Sequence, residues 1–427
     1  MNRFSKLIAL ALSAVMLLLS GCTEDPVVRK QTNQVQITLS WWGNDSRNEY
    51  TIAAVQRFEK LHPEIKVKCS YSEWSGYEAR SQVQMISGTE ADVMQINVGW
   101  LAKYSPDGNG YYDLEKLADT VDLSNFSSEM LDYGRRNGVL NAIPIAMNAE
   151  TVYINKSVYD SFGVSVPQTW DDLFRAADVF RKHGIFALAG ASKSIWLYCI
   201  AYAEQQTGKT FFTDNGEINF SAGEFKVMIE FYDRLVKEKV IPKVEDFQRF
   251  NIDNGAYAGV VAWVSDALNY YKGVIEKGSE IIAAGYTADD PSKAGSGWYA
   301  KPATLYALSR NTEHPKEAAM LLDFMLNSTE WAELQGVEKG IPLSASVRKY
   351  LDETGKLSGL QYEASQVMEN NKLIRPMNSV IEDSALYETF IDACDLVLFN
   401  KATADEAASQ LCKTYAEKYK MRQDSAS

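Results

Sequence analysis

The feature that most constrains this chain is a switch between two hydrophobic periods, repeated from residue 35 to residue 96. Residues 35–41 alternate apolar and polar side chains, the period of a strand with one buried face. Gly43-Asn44-Asp45-Ser46 then reads as a loop whose short polar side chains cap a helix. Residues 47–61 carry Ala53, Ala54, Phe58 and Leu61 toward one inner face until His62-Pro63 stops the helix. Residues 65–71 alternate again, residues 77–87 are amphipathic and end at Gly88, and residues 91–96 read as a third, buried strand. This βαβαβ order predicts a parallel sheet with helices on both faces.

The same grammar returns downstream. Thr169-Trp170-Asp171-Asp172 opens a helix to about His183, residues 185–189 form a short strand, and residues 225–239 form a helix after an N-cap at Ser221. Residues 258–264 and 304–308 read as strands, and His314-Pro315-Lys316-Glu317 starts a helix to about Leu326. From residue 347 to 420 the pattern is almost wholly helical, broken at 355–359 and at Arg375-Pro376.

The N-terminus sets the compartment. Arg3 and Lys6 precede an apolar run from Leu7 to Leu19, too short to span a bilayer, which needs about 20 apolar residues. The run ends in Leu19-Ser20-Gly21-Cys22, which resembles the lipobox of bacterial export signals; cleavage there leaves Cys22 as an acylated N-terminus. Residues 1–21 are thus expected to be a signal peptide, and Thr23 to Gln34, polar and aperiodic, a flexible tether. The lipid would hold the protein on the outer face of the cell membrane.

About 390 residues then remain, more than one core usually serves, so two domains are expected. Loss of residues 1–21 removes two bases and no acid, taking the formal charge from −13 to −15. With no stripe of Lys and Arg, nucleic acid is excluded as a partner. Cys69, Cys199, Cys394 and Cys412 follow no metal or CxxC spacing, so one bridge and buried thiols both stay open. His62, His183 and His314 stand apart, which gives no metal cluster and no Ser/His/Asp arrangement. Residues 203–210 match a relaxed phosphate-loop pattern, but what precedes them reads as helix, whereas that loop must follow a strand. No cofactor is expected.

At this point the order of segments resembles the extracellular solute-binding proteins of carbohydrate ABC importers. The residues that carry the resemblance are Phe58-Glu59-Lys60-Leu61-His62-Pro63-Glu64-Ile65-Lys66-Val67, Gly88-Thr89-Glu90-Ala91-Asp92-Val93 and Pro167-Gln168-Thr169-Trp170-Asp171-Asp172-Leu173. Tyr153-Ile154-Asn155-Lys156, Tyr306-Ala307-Leu308-Ser309, His314 to Ala319 and Gly340-Ile341-Pro342 add to it. The resemblance implies an α/β fold of the two-lobed periplasmic-binding-protein type II, maltose-binding-like, with a hinge and an interlobe cleft. It places lobe one at 35–145 plus 302–345, lobe two at 146–301 plus 346–420, and a tail at 421–427. It implies a monomer, not an enzyme, that delivers a small carbohydrate to membrane permease subunits of an ABC importer.

A sugar offers hydroxyl edges and apolar faces, so its site needs carboxylates, amides and aromatic plates, here at the C-terminal ends of strands. After the first strand come Trp41, Trp42 and Asn44; neighbouring strand residues face opposite ways, which assigns Trp42 to the cleft and Trp41 to the core. Glu73 and Trp74 follow the second strand, Gln95 and Asn97 the third. Asn148 flanks the first lobe crossing. Trp196 precedes a long helix, where the family often places ligand contacts. Trp263 and Asp266 end an apolar run, and Trp298 follows a glycine-rich approach to the last crossing. Trp170 and Trp331 are assigned to structure. Two other readings use the same residue types: the same fold with a cationic or peptide-like solute, and a secreted glycoside hydrolase using carboxylates such as Glu73 and Asp266.

Overall fold

The structure is a computed structural model that describes residues 34–213 and 216–422. The export signal, Cys22 and most of the tether lie outside the described residues, as does the tail beyond residue 422. Strand β1 (Val35–Trp42) buries Ile37, Leu39 and Trp41 on one face, as its alternation demands. Asn44 caps α1 (Asp45–Leu61) by accepting a hydrogen bond from the Arg47 N–H, and the helix buries Thr51, Ala54, Val55 and Phe58. Leu61, expected inside, is 56% exposed at the last turn. β2 (Ile65–Ser72), α2 (Trp74–Ser87), β3 (Val93–Ile96) and α3 (Val98–Tyr104) complete the unit. β1 pairs in parallel with both β2 and β3.

Beyond that unit the sheet departs from the parallel expectation. β4 (Ala142–Asn155) was expected only as a crossing, yet it is a strand of 14 residues. It is buried on both faces, so it lacks the alternation by which a strand is read. Pro144 stands at a register shift, where a missing N–H is tolerated. After β4 come α4 (Trp170–Phe180), α5 (Ser192–Thr207), α6 (Ala222–Lys237), β5 (Gly259–Trp263), α7 (Ala267–Glu276), β6 (Ile281–Ala283) and β7 (Tyr299–Leu308). The strand order is β2-β1-β3-β7-β4-β5, with β6 also on β4, and every pair from β3–β7 onward in that order is antiparallel. The cause is directional: β4 and β7 carry the chain between the same two cores in opposite senses. Residues 185–189 do not form the expected strand. Phe186 and Gly190 make single bridges to Tyr257 and Val261, but the Leu188 N–H turns to the Val240 carbonyl instead.

Two main cores result. One gathers Ile37, Leu39, Phe58, Val93, Leu308 and Leu322, with Trp331 at its edge. The other gathers Trp170, Trp196, Phe231, Trp298, Phe390 and Tyr415. α8 (Pro315–Asn327) packs in the first. α9 (Thr329–Gln335), α10 (Ala345–Glu353) and α11 (Leu360–Glu369) follow, and α12 (Ser384–Leu398) and α13 (Ala404–Lys418) close over the second. The 203–210 segment is the C-terminal turn of α5, ended by Gly208 in the left-handed region, and not a phosphate loop. No helix among the described residues is long and apolar enough to cross a membrane.

Candidate functional site

The ends of β1, β2, β3 and β5 converge on a cavity of about 660 Å³, walled on one side by residues that follow β1 to β3 and on the other by residues of α7 and α11. β1 delivers Trp42 to it while Trp41 turns inward, 1% exposed, with its Nε1–H donating to Asn48 and its ring stacked 4.7 Å from Tyr71. Asn44 after β1 and Arg47 in the first turn of α1 add to the cavity lining, as do Glu73 after β2, Trp74 at the start of α2, and Gln95 in β3. Trp42 and Trp74 meet edge to face at 4.9 Å, and Tyr77 and Trp100 stack behind them at 5.9 Å. Such a cluster holds the exposed ring of Trp74 in one orientation. The Glu73 carboxylate makes no helix-cap bond, which leaves it to the cavity rim.

The facing wall comes from the first turns of α7 and from α11. Ser265, Asp266, Asn269, Lys272 and Gln361 line it. Burial raises the pKa of Asp266, a shift that the Asn269 amide, donating at 3.2 Å, opposes. The floor near residue 338 is the most charged part. Arg47 grips Glu338 through Nε and Nη2, the shortest contact being 2.9 Å, and Tyr50 donates to the same carboxylate at 2.8 Å. Burial pushes the Glu338 pKa upward, yet Arg47, with the Tyr50 hydroxyl and the Lys339 charge, outweighs it and leaves the group below its usual value. Beside it Lys339 is 3% exposed and donates to Gln95 Oε1 and to the Tyr306 hydroxyl. Burial, then the nearby Arg47 charge, holds its pKa well below that of a free lysine.

The structure separates the expected residues into three groups. Trp42, Asn44, Glu73, Trp74, Gln95 and Asp266 line the cavity. Asn97 caps α3 and lines an adjoining cavity of about 610 Å³ with Trp100, Lys103 and Glu382. Trp74 borders both spaces, so the two are neighbours along one groove. Four residues, Trp196, Trp298, Asn148 and Trp263, stand outside both spaces, against their expected place in the cleft. Trp196 is fully buried in α5, a helix buried on nearly every side, and its ring meets Phe211 at 5.7 Å. Trp298 is 2% exposed against Tyr198 and Tyr286. Asn148 spends its amide on Ser265, accepting from its N–H and donating to its hydroxyl, and so fixes the cavity wall from behind. Trp263 is half-buried, with the ammonium groups of Lys301 and Lys193 lying 4.7 and 5.6 Å from its ring centre. Both lysines bind Glu382, and Trp263 lines neither cavity. Trp170 and Trp331 are buried, as assigned.

Sequence reasoning missed Arg47, Glu338, Lys339, Asn269 and Gln361. Arg47 had a signal, since it lies in the first turn of a helix that starts at a strand end. Lys339 had a weaker one: it precedes Gly340-Ile341-Pro342, where Gly340 adopts a φ of 103° that favours glycine.

Comparison with known proteins agrees with this geometry. Residues 44–330 match the family model described as bacterial extracellular solute-binding protein. The melibiose/raffinose/stachyose-binding protein MelE of Bacillus subtilis is 25% identical over 248 residues, which cover 54% of this chain and 55% of that protein. The chain therefore spans about half the length of the curated relative it matches. Among solved structures, a periplasmic oligogalacturonide binding protein from Yersinia enterocolitica, in complex with saturated digalacturonic acid, matches with a TM-score of 0.80 and 28% identity. That match covers 90% of this chain and 98% of the other. A maltose-bound protein from T. maritima shares the fold at a TM-score of 0.69 and 18% identity, covering 90% of this chain and 99% of its own. The fold is the two-lobed periplasmic-binding-protein type II architecture. Matched by the family model over residues 44–330, this chain belongs to the bacterial extracellular solute-binding proteins.

Proposed function

We propose that this chain is the substrate-binding component of an ABC importer, which captures an extracellular oligosaccharide between its lobes and presents it to membrane permease subunits. The observation that carries this reading is the cavity itself. Trp42 and Trp74 offer apolar plates on one wall, while Asp266, Asn269 and Gln361 offer hydrogen-bonding groups on the other. The first suits the C–H faces of a pyranose and the second its hydroxyls. The adjoining space past Trp74 supports a ligand longer than one sugar ring. Sugar-binding relatives and structural neighbours support the same class of ligand. Two lobes that share one cleft bind a solute most tightly when closed, so ligand shifts the population toward the closed form, which the permease would read. The protein would act as a monomer held by acyl chains on Cys22 at the outer face of the membrane, with residues 22–34 as its tether.

Calorimetric titration with neutral and uronic di- and trisaccharides, amines and short peptides tests the ligand class. The expected result is binding of a saccharide, weakened about tenfold or more by Trp74→Ala, as loss of a stacking plate requires. Binding confined to amines or peptides would overturn the carbohydrate reading.

A further inference from the structure

Lys339 and Gln95 are neighbouring buried side chains that each keep donor capacity without an acceptor. The Lys339 ammonium carries three donors and meets two partners, Gln95 Oε1 at 3.1 Å and the Tyr306 hydroxyl at 2.7 Å, both neutral. Its neighbour Glu338 is already held by Arg47 and Tyr50. Because Gln95 Oε1 accepts from Lys339, the orientation of that amide is set, and its Nε2 is buried with no partner. Gln95 is fully buried, yet both residues line the cavity. A buried ammonium and a buried amide with donors unmet are each costly, and an acceptor arriving in the cavity relieves both.

We infer that the lobe-one floor of the cavity is a carboxylate subsite, with Lys339 Nζ and Gln95 Nε2 as its donors, so that the captured oligosaccharide carries an acidic sugar. A carboxylate brings two acceptor-only oxygens and a negative charge, which matches one ammonium proton and one amide proton on adjacent side chains. A sugar hydroxyl in the same place satisfies one donor and leaves the charge unopposed. Burial, and after it the Arg47 charge, lowers the Lys339 pKa, a shift that an incoming anion opposes. The acidic residue on the facing wall, Asp266, accepts from Asn269 through Oδ1 and keeps Oδ2 to accept from sugar hydroxyls.

This inference rests on the carbohydrate reading, and its test separates the two. Digalacturonic and cellobiouronic acids are titrated by calorimetry beside galactobiose and cellobiose, which carry hydroxymethyl groups where the acids carry carboxylates; inorganic sulfate is the control for a free anion. The acids should bind at least tenfold more tightly than their neutral counterparts, and sulfate should neither bind comparably nor compete. Gln95→Glu gives Lys339 an internal counterion in the same volume. It should lower acid affinity tenfold or more while the melting temperature holds or rises, a split that a purely structural lysine would not produce. Lys339→Met should lose the preference for the acids. Tighter binding of a neutral saccharide, unchanged acid affinity in Gln95→Glu, or sulfate binding as tight as the acids would overturn the subsite and leave the carbohydrate reading standing. Binding of no saccharide would overturn both.

Discussion

Glu150 lies opposite Trp263 in the β4–β5 pair, buried, with one carboxyl oxygen accepting from the Ser194 hydroxyl at 2.8 Å and the other without a partner. Burial pushes its pKa up to about 8, against the ordinary 4.5, so the folded protein keeps it protonated at neutral pH while the unfolded chain ionises it. The group's contribution to stability is therefore complete below about pH 4.5 and is lost as pH rises to about 8. Glu150→Gln removes that loss. The unfolding free energy of the variant relative to the parent should climb between pH 5 and pH 8, approaching a gain of a few kcal/mol. A difference independent of pH would contradict the assigned burial. Single residues were unevenly legible before the structure. Trp42 against Trp41 could be sorted because strand neighbours face opposite ways, and Glu73, Trp74 and Asp266 because they follow strand ends. Trp196 and Trp298 could not, since an aromatic ring suits a core and a sugar face equally, and only its neighbours decide. Lys339 was illegible because its meaning depends on Gln95 and Tyr306, distant in sequence and adjacent in space.

Elements were legible where one face meets water. β1 and β2 declared themselves by alternation, and α1 by its Asn44 cap and His62-Pro63 stop. β4 and α5 did not, because both are buried on nearly every side and so lose their period. Those two elements matter most to the lobe arrangement. β4 pairs with β7 along both cores, and register shifts at Pro144 and Ala146 bend it near the crossing. The N-terminal turn of α5 sets Ser194 against Glu150 and Lys193 beside Trp263, so this hinge-side cluster joins charge to the strands that run between cores. The antiparallel half of the sheet was hidden for a similar reason: a local pattern of strands and helices reports order along the chain, not the direction from which a strand returns.

At the scale of the whole molecule, the proposed anchor and the proposed cleft have separate tests. The proposed anchoring rests on the short apolar segment that ends in Cys22. Cys22→Ser should move the protein from the membrane fraction to the soluble one; retention in the membrane would contradict lipidation there. The central claim is that two lobes close on a solute held between Trp74 and Asp266. Small-angle scattering on the protein, with and without a saturating saccharide identified by calorimetry, tests it most directly. The account predicts a smaller radius of gyration when the ligand is bound, as the open population is drawn into the closed one. A scattering profile unchanged at saturation would contradict it.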